Sequence, residues 1–388
     1  MSSDLDGPLA GGAFGETALL AAVKRRDREA IDALLRQGAN INQKSHWWAG
    51  GFHVLDGAWD TPWLAPFLIE RGAVPEIHHL VQLEMFDDVR RMLEKDPTAV
   101  RARGGDGHTP LHDARSIEMA DLLLRHGAEI DARDVDHEST PAQYMIRDRT
   151  AVARYLVEHG AAADILMTAA FGDRDRAAAI LDASPDAIRT IVSDRYFPMR
   201  NPRAGGTIYN WTVGTGKSPH EVAREFGHHD LLAFLMSRSP PDVKLTVACE
   251  LADTKLVDEI LATHPGAFTA IREQDHARLP AAARNNKTGT VALMLKAGWP
   301  VGARGPENAT ALHWAAFHGN SDMVQTLLDR GADPSLKGDA HDATPLQWAQ
   351  HGSQHGWHCR TGDYQGVERA LRPNTAGMRQ NEPEKEEP

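Results

Sequence analysis

Glycines that recur every 33 residues constrain the fold of this chain more than any other feature of its sequence. Gly298 and Gly331 form one such pair, and Gly127 and Gly160 form another. Only glycine adopts the left-handed backbone conformation after a helix without steric cost, so each of these glycines predicts a helix end. The constant spacing predicts one small helical unit that is repeated along the chain.

The segment from Asn308 to Gly331 contains one complete unit with two predicted helices. Thr310 is the predicted N-cap of the first helix, because its hydroxyl can accept a hydrogen bond from the first turn. Gly319 ends that helix, and Ser321 is the predicted N-cap of the second. Apolar residues recur at helical spacing within these limits: Leu312, Ala315, Ala316, Met323, Val324, Leu327 and Leu328. Helix pairs this short cannot bury their apolar faces alone, so we expect neighbouring units to stack on them.

Three copies of a short motif begin predicted first helices. They are TPLHDA at Thr109–Ala114, TALHWA at Thr310–Ala315 and TPLQWA at Thr344–Ala349. With the 33-residue period, these motifs resemble the ankyrin repeat and its T-P-L-H-x-A signature. The resemblance implies an all-α solenoid of helix pairs, with the loops and first helices lining a concave face. The stretch from Thr17 to Leu371 would hold about 11 such units.

We expect a single solenoid over residues 17–371, after an N-terminal lead of residues 1–16. Residues 372–388 form an acidic tail of low hydrophobicity, which predicts disorder. Three insertions interrupt the period, at 44–60, 189–217 and 351–363. The second contains TIYNWTV, Thr207–Val213, whose alternating side chains favour one short β-hairpin. Long insertions in a repeat array are uncommon and often functional.

Charge and cysteine content limit the expected partners. The net charge of −12 at pH 7 would repel a phosphate backbone, so nucleic acid is not expected and a protein partner would be basic. Two cysteines, Cys249 and Cys359, are typical of a reducing compartment. We find neither a signal peptide nor an apolar run of the roughly 18 residues that a membrane helix needs. We therefore expect a cytoplasmic, monomeric protein that binds no membrane and needs no cofactor.

All three insertions bring tryptophan together with histidine or tyrosine: Trp47, Trp48, His53, Tyr209, Trp211, His355 and Trp357. If the insertions meet, these side chains would close a pocket against Trp314, Phe317 and His318. The tryptophans of the first insertion have a second interpretation, because aromatic side chains also pack well as fillers at the end of a stack.

Histidines are concentrated near the end of the chain. His351, His355 and His358 lie within eight residues, and His318 has the equivalent position in the preceding unit. Imidazoles in this arrangement can bind zinc or supply a general base. However, HGSQH lacks the glutamate of H-E-x-x-H, and Gly352 would disturb a helix. We therefore predict no metal site and keep His351, His355 and His358 only as candidate ligands.

These patterns favour a protein-interaction module or scaffold that binds its partner on the concave surface. The alternative is an enzyme, or a protein that binds a small molecule or a metal, with a pocket that the irregular insertions line with histidine and tryptophan. No catalytic residue is predicted. The predicted partner- or ligand-binding residues are Trp47, Trp48, His53, Tyr209, Trp211, Trp314, Phe317, His318, Trp348, His351, His355 and Trp357.

Overall fold

A computed structural model describes residues 5–338, 342–356 and 358–372. Trp357 and nearly all of the predicted acidic tail, 373–388, lie outside the described residues. Backbone contacts divide the chain into two units, Met1–Phe234 and Leu235–Pro388. The single solenoid over residues 17–371 stays a prediction, and each unit is described by itself.

The fold is all-α, as the sequence predicts, and the described residues contain isolated β-bridges but no strand. In the first unit the helices are α1 (Ala18–Lys24), α2 (Arg28–Arg36), α3 (Leu64–Ile69), α4 (Ile77–Gln82), α5 (Phe86–Lys95), α6 (Pro110–Asp113), α7 (Ile117–Arg125), α8 (Pro141–Tyr144), α9 (Thr150–Glu158), α10 (Ile165–Phe171), α11 (Arg174–Ala183) and α12 (Pro219–Glu225). Helix α13 (His229–Arg238) spans the boundary between the units.

The second unit continues the pattern of paired helices. They are α14 (Pro241–Glu250), α15 (Thr254–Thr263), α16 (Arg278–Arg284), α17 (Thr288–Ala297), α18 (Ala311–Phe317), α19 (Ser321–Asp329), α20 (Pro345–His355) and α21 (Tyr364–Leu371). No helix among the described residues is long and apolar enough to cross a membrane.

In two units the threonine and histidine of the repeat motif cap the first helix and hold the next turn. Thr109 and His112 form a reciprocal capping box at the start of α6. The backbone N–H of Thr109 donates to Nδ1 of His112 over 3.1 Å, while Nε2 of His112 lies 3.1 Å from the carbonyl oxygen of Ser139 in the next turn. His313 makes the same pair of contacts with Thr310 and Ala343 in the second unit. The motif histidine is therefore structural in both units, because it links its helix to the next turn.

The unit from Asn308 to Gly331 folds almost as predicted. Leu312 and Leu327 are buried, and Gly319 and Gly331 have φ angles of +64° and +84°, as expected for helix ends. One detail differs. The N-cap of α19 is Asn320, whose side chain accepts from the N–H of Met323, and Ser321 is the first helical residue.

Two local predictions are wrong. The segment Thr207–Val213 forms no β-hairpin; Asn210–Gly214 is a π-helical turn instead. Its backbone N–H groups bond locally, as in Trp211 N–H to the carbonyl of Ile208. Thr207, Ile208 and Tyr209 are all buried, whereas an alternating strand would bury only every second side chain. Gly352 does not disturb helix α20, which continues to His355. The glycine instead lets α20 approach the carbonyl of Phe317 at a distance that no Cβ atom would permit.

Candidate functional site

The first two insertions converge on neighbouring repeat turns of the first unit. Trp47 in the first insertion donates its indole N–H to Oδ1 of Asp106 over 3.0 Å. In the second insertion, the backbone N–H of Gly205 donates to the carbonyl oxygen and to Oδ1 of Asp136, over 2.9 and 3.1 Å. The guanidinium of Arg203 lies 4.7 Å from the ring centre of Trp48, so the two insertions also contact each other.

Asp106, Asp136 and His137, which we name the Asp-Asp-His cluster, lie at this convergence. One ligand atom from each residue lies within 4.8 Å of the other two. The two turns are joined directly, because the N–H of Asp136 donates to the carbonyl of Asp106 over 3.0 Å. Burial raises the pKa of Asp106 above its ordinary value. The turns therefore hold two carboxylates and an imidazole close together where solvent is largely excluded.

A second polar group, the His-Asp-His cluster of His78, Asp113 and His108, lies at the starts of α4 and α6. Oδ2 of Asp113 is 3.0 Å from Nδ1 of His78 and 3.0 Å from Nε2 of His108, and Oδ1 accepts from the amide of Gln82 over 2.7 Å. Burial disfavours the charged form of His108, but the Asp113 carboxylate outweighs it and raises the pKa of His108 to about 9. This cluster therefore neutralises its own charge and joins two repeats.

His53, in the first insertion, belongs to a third buried network. It is 4% exposed, its Nε2 lies 3.2 Å from Oδ1 of Asn42, and its Nδ1 accepts from the N–H of Leu55. Burial and the neighbouring His79 lower the pKa of His53 to about 4. The imidazole is consequently neutral near pH 7 and holds the insertion to the repeats.

A cavity of about 330 Å³ opens beside the Asp-Asp-His cluster. One wall comes from the repeat turn and the other from the second insertion. Its lining includes Arg133, His137, Glu138, Tyr196, Phe197 and Arg200. Cationic and aromatic side chains therefore surround a space that is large enough for a side chain of a partner or a small ligand.

The remaining predicted site residues differ widely in exposure. In the first unit, Trp47 and Trp48 are half-buried, and Tyr209 is fully buried with its hydroxyl donating to Asp164 over 2.7 Å. Trp211, two residues later, is 73% exposed. It is the only one of the predicted tryptophans within the described residues that solvent reaches over most of its surface.

In the second unit, the predicted residues pack mainly on each other. Trp314 and Trp348 are 6% and 9% exposed and make an edge-to-face contact with ring centres 4.9 Å apart. His318 is buried and donates from Nε2 to the carbonyl of Arg284, whereas Phe317 is half-buried. Their role in partner binding stays a prediction, and their burial favours a packing role.

Among the described residues, the terminal histidines do not form a group of three with metal-ligand spacing. His351 and His355 are exposed, and their ring centres are 4.9 Å apart. The ring centres of His318 and His358 are 5.2 Å apart. The groups of three with metal-ligand spacing are instead the Asp-Asp-His and His-Asp-His clusters. Sequence reasoning missed both. The only sequence signal for the Asp-Asp-His cluster was the position of Asp106 and Asp136, a few residues before the capping threonines Thr109 and Thr140.

Comparison with known proteins agrees with the repeat pattern. The family model described as "Ankyrin repeats (3 copies)" matches residues 220–338 and 279–356, and the model "Ankyrin repeat" matches 14–46 and 106–135. Together the matches cover about half of the chain.

Curated relatives share only short stretches with this chain. Palmitoyltransferase Hip14 of Drosophila melanogaster is 26% identical over 136 residues, which are 35% of this chain and 16% of that protein. Ankyrin repeat and KH domain-containing protein mask-1 of Caenorhabditis elegans is 30% identical over 149 residues, 37% of this chain and 6% of that protein. The chain thus spans a small fraction of the length of the relatives it matches.

Among solved structures, the human ASB11 ankyrin repeat domain aligns with 77% of this chain and 99% of its own, at 15% identity and a TM-score of 0.31. The family models, the 33-residue period and the capped T-x-L-H motifs carry the assignment. This chain belongs to the ankyrin-repeat family.

Proposed function

We propose that this chain recognises a protein partner with the surface that the second insertion forms on the first unit, on the concave side expected for an ankyrin array. Ankyrin repeats are protein-interaction modules. The observation that carries the more specific proposal is the 73% exposure of Trp211. Large aromatic side chains account for much of the binding free energy at protein interfaces, and an exposed one is a candidate anchor.

The turn that presents Trp211 is fixed on both sides. Tyr209 is completely buried, and its hydroxyl donates to Asp164. On the other side, Nε of Arg147 donates to the carbonyl of Thr212 over 2.7 Å, and Arg147 also pairs with Glu225. A partner that binds a side chain on an ordered support loses less free energy to ordering it.

The second insertion is basic although the whole chain carries a net charge of −12. The second insertion contains Arg189, Arg195, Arg200, Arg203 and Lys217 but only one acidic residue, Asp194. Arg195, Arg200 and Arg203 are exposed, and none of them makes an ion pair with another described residue. The overall charge predicts a basic partner, but this local charge favours an acidic segment of the partner.

A capture experiment with matched tryptophan variants tests the proposal. The wild-type chain, Trp211→Ala and Trp59→Ala would be immobilised and exposed to a lysate of the source cell. Trp59 is the matched control, because it is 42% exposed in the first insertion and packs under Arg115. A partner would be retained by the wild type and by Trp59→Ala but not by Trp211→Ala.

Each candidate partner would then be purified and its affinity measured directly. We expect Trp211→Ala to raise Kd at least about tenfold, about 1.4 kcal/mol, and Trp59→Ala to leave it unchanged. Arg200→Glu should slow association, and the effect should diminish in high salt. If no protein distinguishes the wild type from Trp211→Ala, or if the purified partner binds both equally, the proposal is wrong.

A further inference from the structure

The Asp-Asp-His cluster has an unusual charge arrangement for a repeat turn. Asp136 and His137 have side chains only 5% and 10% exposed, and Asp106 is half-buried beside them. No ion pair joins Asp106 or Asp136 to a lysine or arginine within the described residues. The nearby guanidinium of Arg103 donates to the carbonyls of Gly107 and Arg133 instead. Two neighbouring carboxylates with little solvent normally require a compensating cation.

The imidazole of His137 presents a lone pair to these carboxylates. Its Nδ1 lies 2.7 Å from the carbonyl oxygen of Gly206, which can only accept, so Nδ1 carries the proton in the neutral ring. Nε2 is then an acceptor, and its neighbour Oδ2 of Asp136, 3.6 Å away, cannot donate to it when ionised. A histidine that gives one N–H to a backbone carbonyl and leaves the other nitrogen open has the usual orientation of a metal ligand.

The two carboxylates are oriented in a matching way. Oδ1 of Asp106 accepts from the indole of Trp47, and Oδ1 of Asp136 accepts from the N–H of Gly205. Each therefore keeps its second oxygen available, and both orienting donors come from the insertions. We propose that Asp106, Asp136 and His137 bind one divalent transition-metal ion, which fastens both insertions to the repeat turns.

The chemistry of the three ligands restricts the ion. An imidazole nitrogen disfavours Mg²⁺ and Ca²⁺, whereas two carboxylates with one imidazole suit Zn²⁺ or Mn²⁺. Three protein ligands leave at least one coordination position free on the metal ion. Water could fill it, or an acidic group of a ligand or partner bound in the adjacent cavity. The His-Asp-His cluster is a weaker candidate, because Asp113 already lies between two imidazoles and an amide.

Metal titration of the full chain tests this inference. The protein would be stripped with EDTA, dialysed, and titrated calorimetrically with Zn²⁺, Mn²⁺ and Mg²⁺, with thermal unfolding followed in parallel. We expect one equivalent of Zn²⁺ or Mn²⁺ to bind and to raise Tm, and Mg²⁺ to bind at least about tenfold more weakly. Asp136→Asn and His137→Gln should each weaken binding at least about tenfold, since each removes a ligand.

Three further variants make the result decisive. His126→Gln removes an exposed histidine and should leave binding unchanged. Asp113→Asn tests the neighbouring cluster and should also leave it unchanged. Trp47→Phe keeps all three ligands but removes the indole donor, so it should weaken binding about tenfold. It tests the site even where the ligand variants do not fold. Absence of binding by every ion, or binding that only His126→Gln or Asp113→Asn weakens, would overturn the proposal.

Discussion

Buried His53 should make the stability of this protein fall in mildly acidic solution. In the folded chain, Nδ1 of His53 accepts from the N–H of Leu55, and its Nε2 lies against Oδ1 of Asn42. Protonation of Nδ1 would break the first contact. The charged neighbours do not compensate fully: Asp56 and Glu76 favour the protonated ring, but burial, His79 and Lys44 oppose it. The net effect lowers the pKa of His53 from 6.5 to about 4.

This shift sets the sign and the size of the effect. Between pH 6.5 and pH 4 the unfolded chain binds a proton at His53 that the folded chain does not, so stability decreases as the pH falls. The full shift corresponds to about 3.4 kcal/mol, and the part lost between pH 7 and pH 5 is about 2 kcal/mol. The stability that neutral His53 contributes is fully present above its pKa in the unfolded chain. It is lost as the pH falls towards its lower pKa in the folded chain.

Urea unfolding at several pH values, followed by circular dichroism, measures this contribution. His53→Gln should be less stable at pH 7, but it should lose about 2 kcal/mol less than the wild type between pH 7 and pH 5. His126→Gln, which removes an exposed histidine, should keep the wild-type pH dependence. If the wild type and His53→Gln lose the same free energy over this range, His53 is not the buried neutral group described above.

Two other predictions test packing in the second unit. Burial raises the pKa of the Cys249 thiol to about 12, whereas Cys359 is exposed, so a disulfide reagent at pH 8 should rapidly modify only Cys359. Cys359→Ser should remove that reaction, and its persistence would show that Cys249 is accessible. Gly352→Ala should destabilise the chain by about 2 kcal/mol, because the added Cβ collides with the carbonyl of Phe317. Gly289→Ala in α17, where a Cβ meets nothing closer than 3.9 Å, is the control, and equal Tm values for the two variants would contradict this account.

The repeat architecture was predictable because its signals are local. A threonine that caps a helix and a glycine that ends one act within a few residues, and Thr310, Gly319 and Gly331 behave as the sequence predicts. The same reasoning failed at Thr207–Val213, where the conformation depends on long-range contacts. Ile208 donates to the hydroxyl of Ser139, and Tyr209 donates to Asp164. No local pattern contains those partners.

The candidate site could not be predicted for the same reason. Asp106 and Asp136 are about one repeat apart, and their orienting donors, Trp47 and Gly205, are far from them in sequence. The sequence did indicate that the insertions are specialised, and two of them do meet. It could not distinguish Trp211, which is exposed, from Trp314 and Trp348, which pack in the core. That difference depends on which face each helix or turn buries.

A comparison of equivalent turns indicates that the His-Asp-His cluster of the first unit is not required by the fold. The same hydrogen bond joins successive turns in both units: Arg103 donates to the carbonyl of Arg133, and Arg304 donates to that of Lys337. At the position after the motif histidine, Asp113 of the first unit corresponds to Trp314 of the second, which packs on Trp348. An apolar contact therefore supports the same helix start. Because burial of ionisable groups costs free energy that an aromatic pair does not, the buried His-Asp-His cluster of the first unit requires an explanation beyond the packing of one repeat on the next.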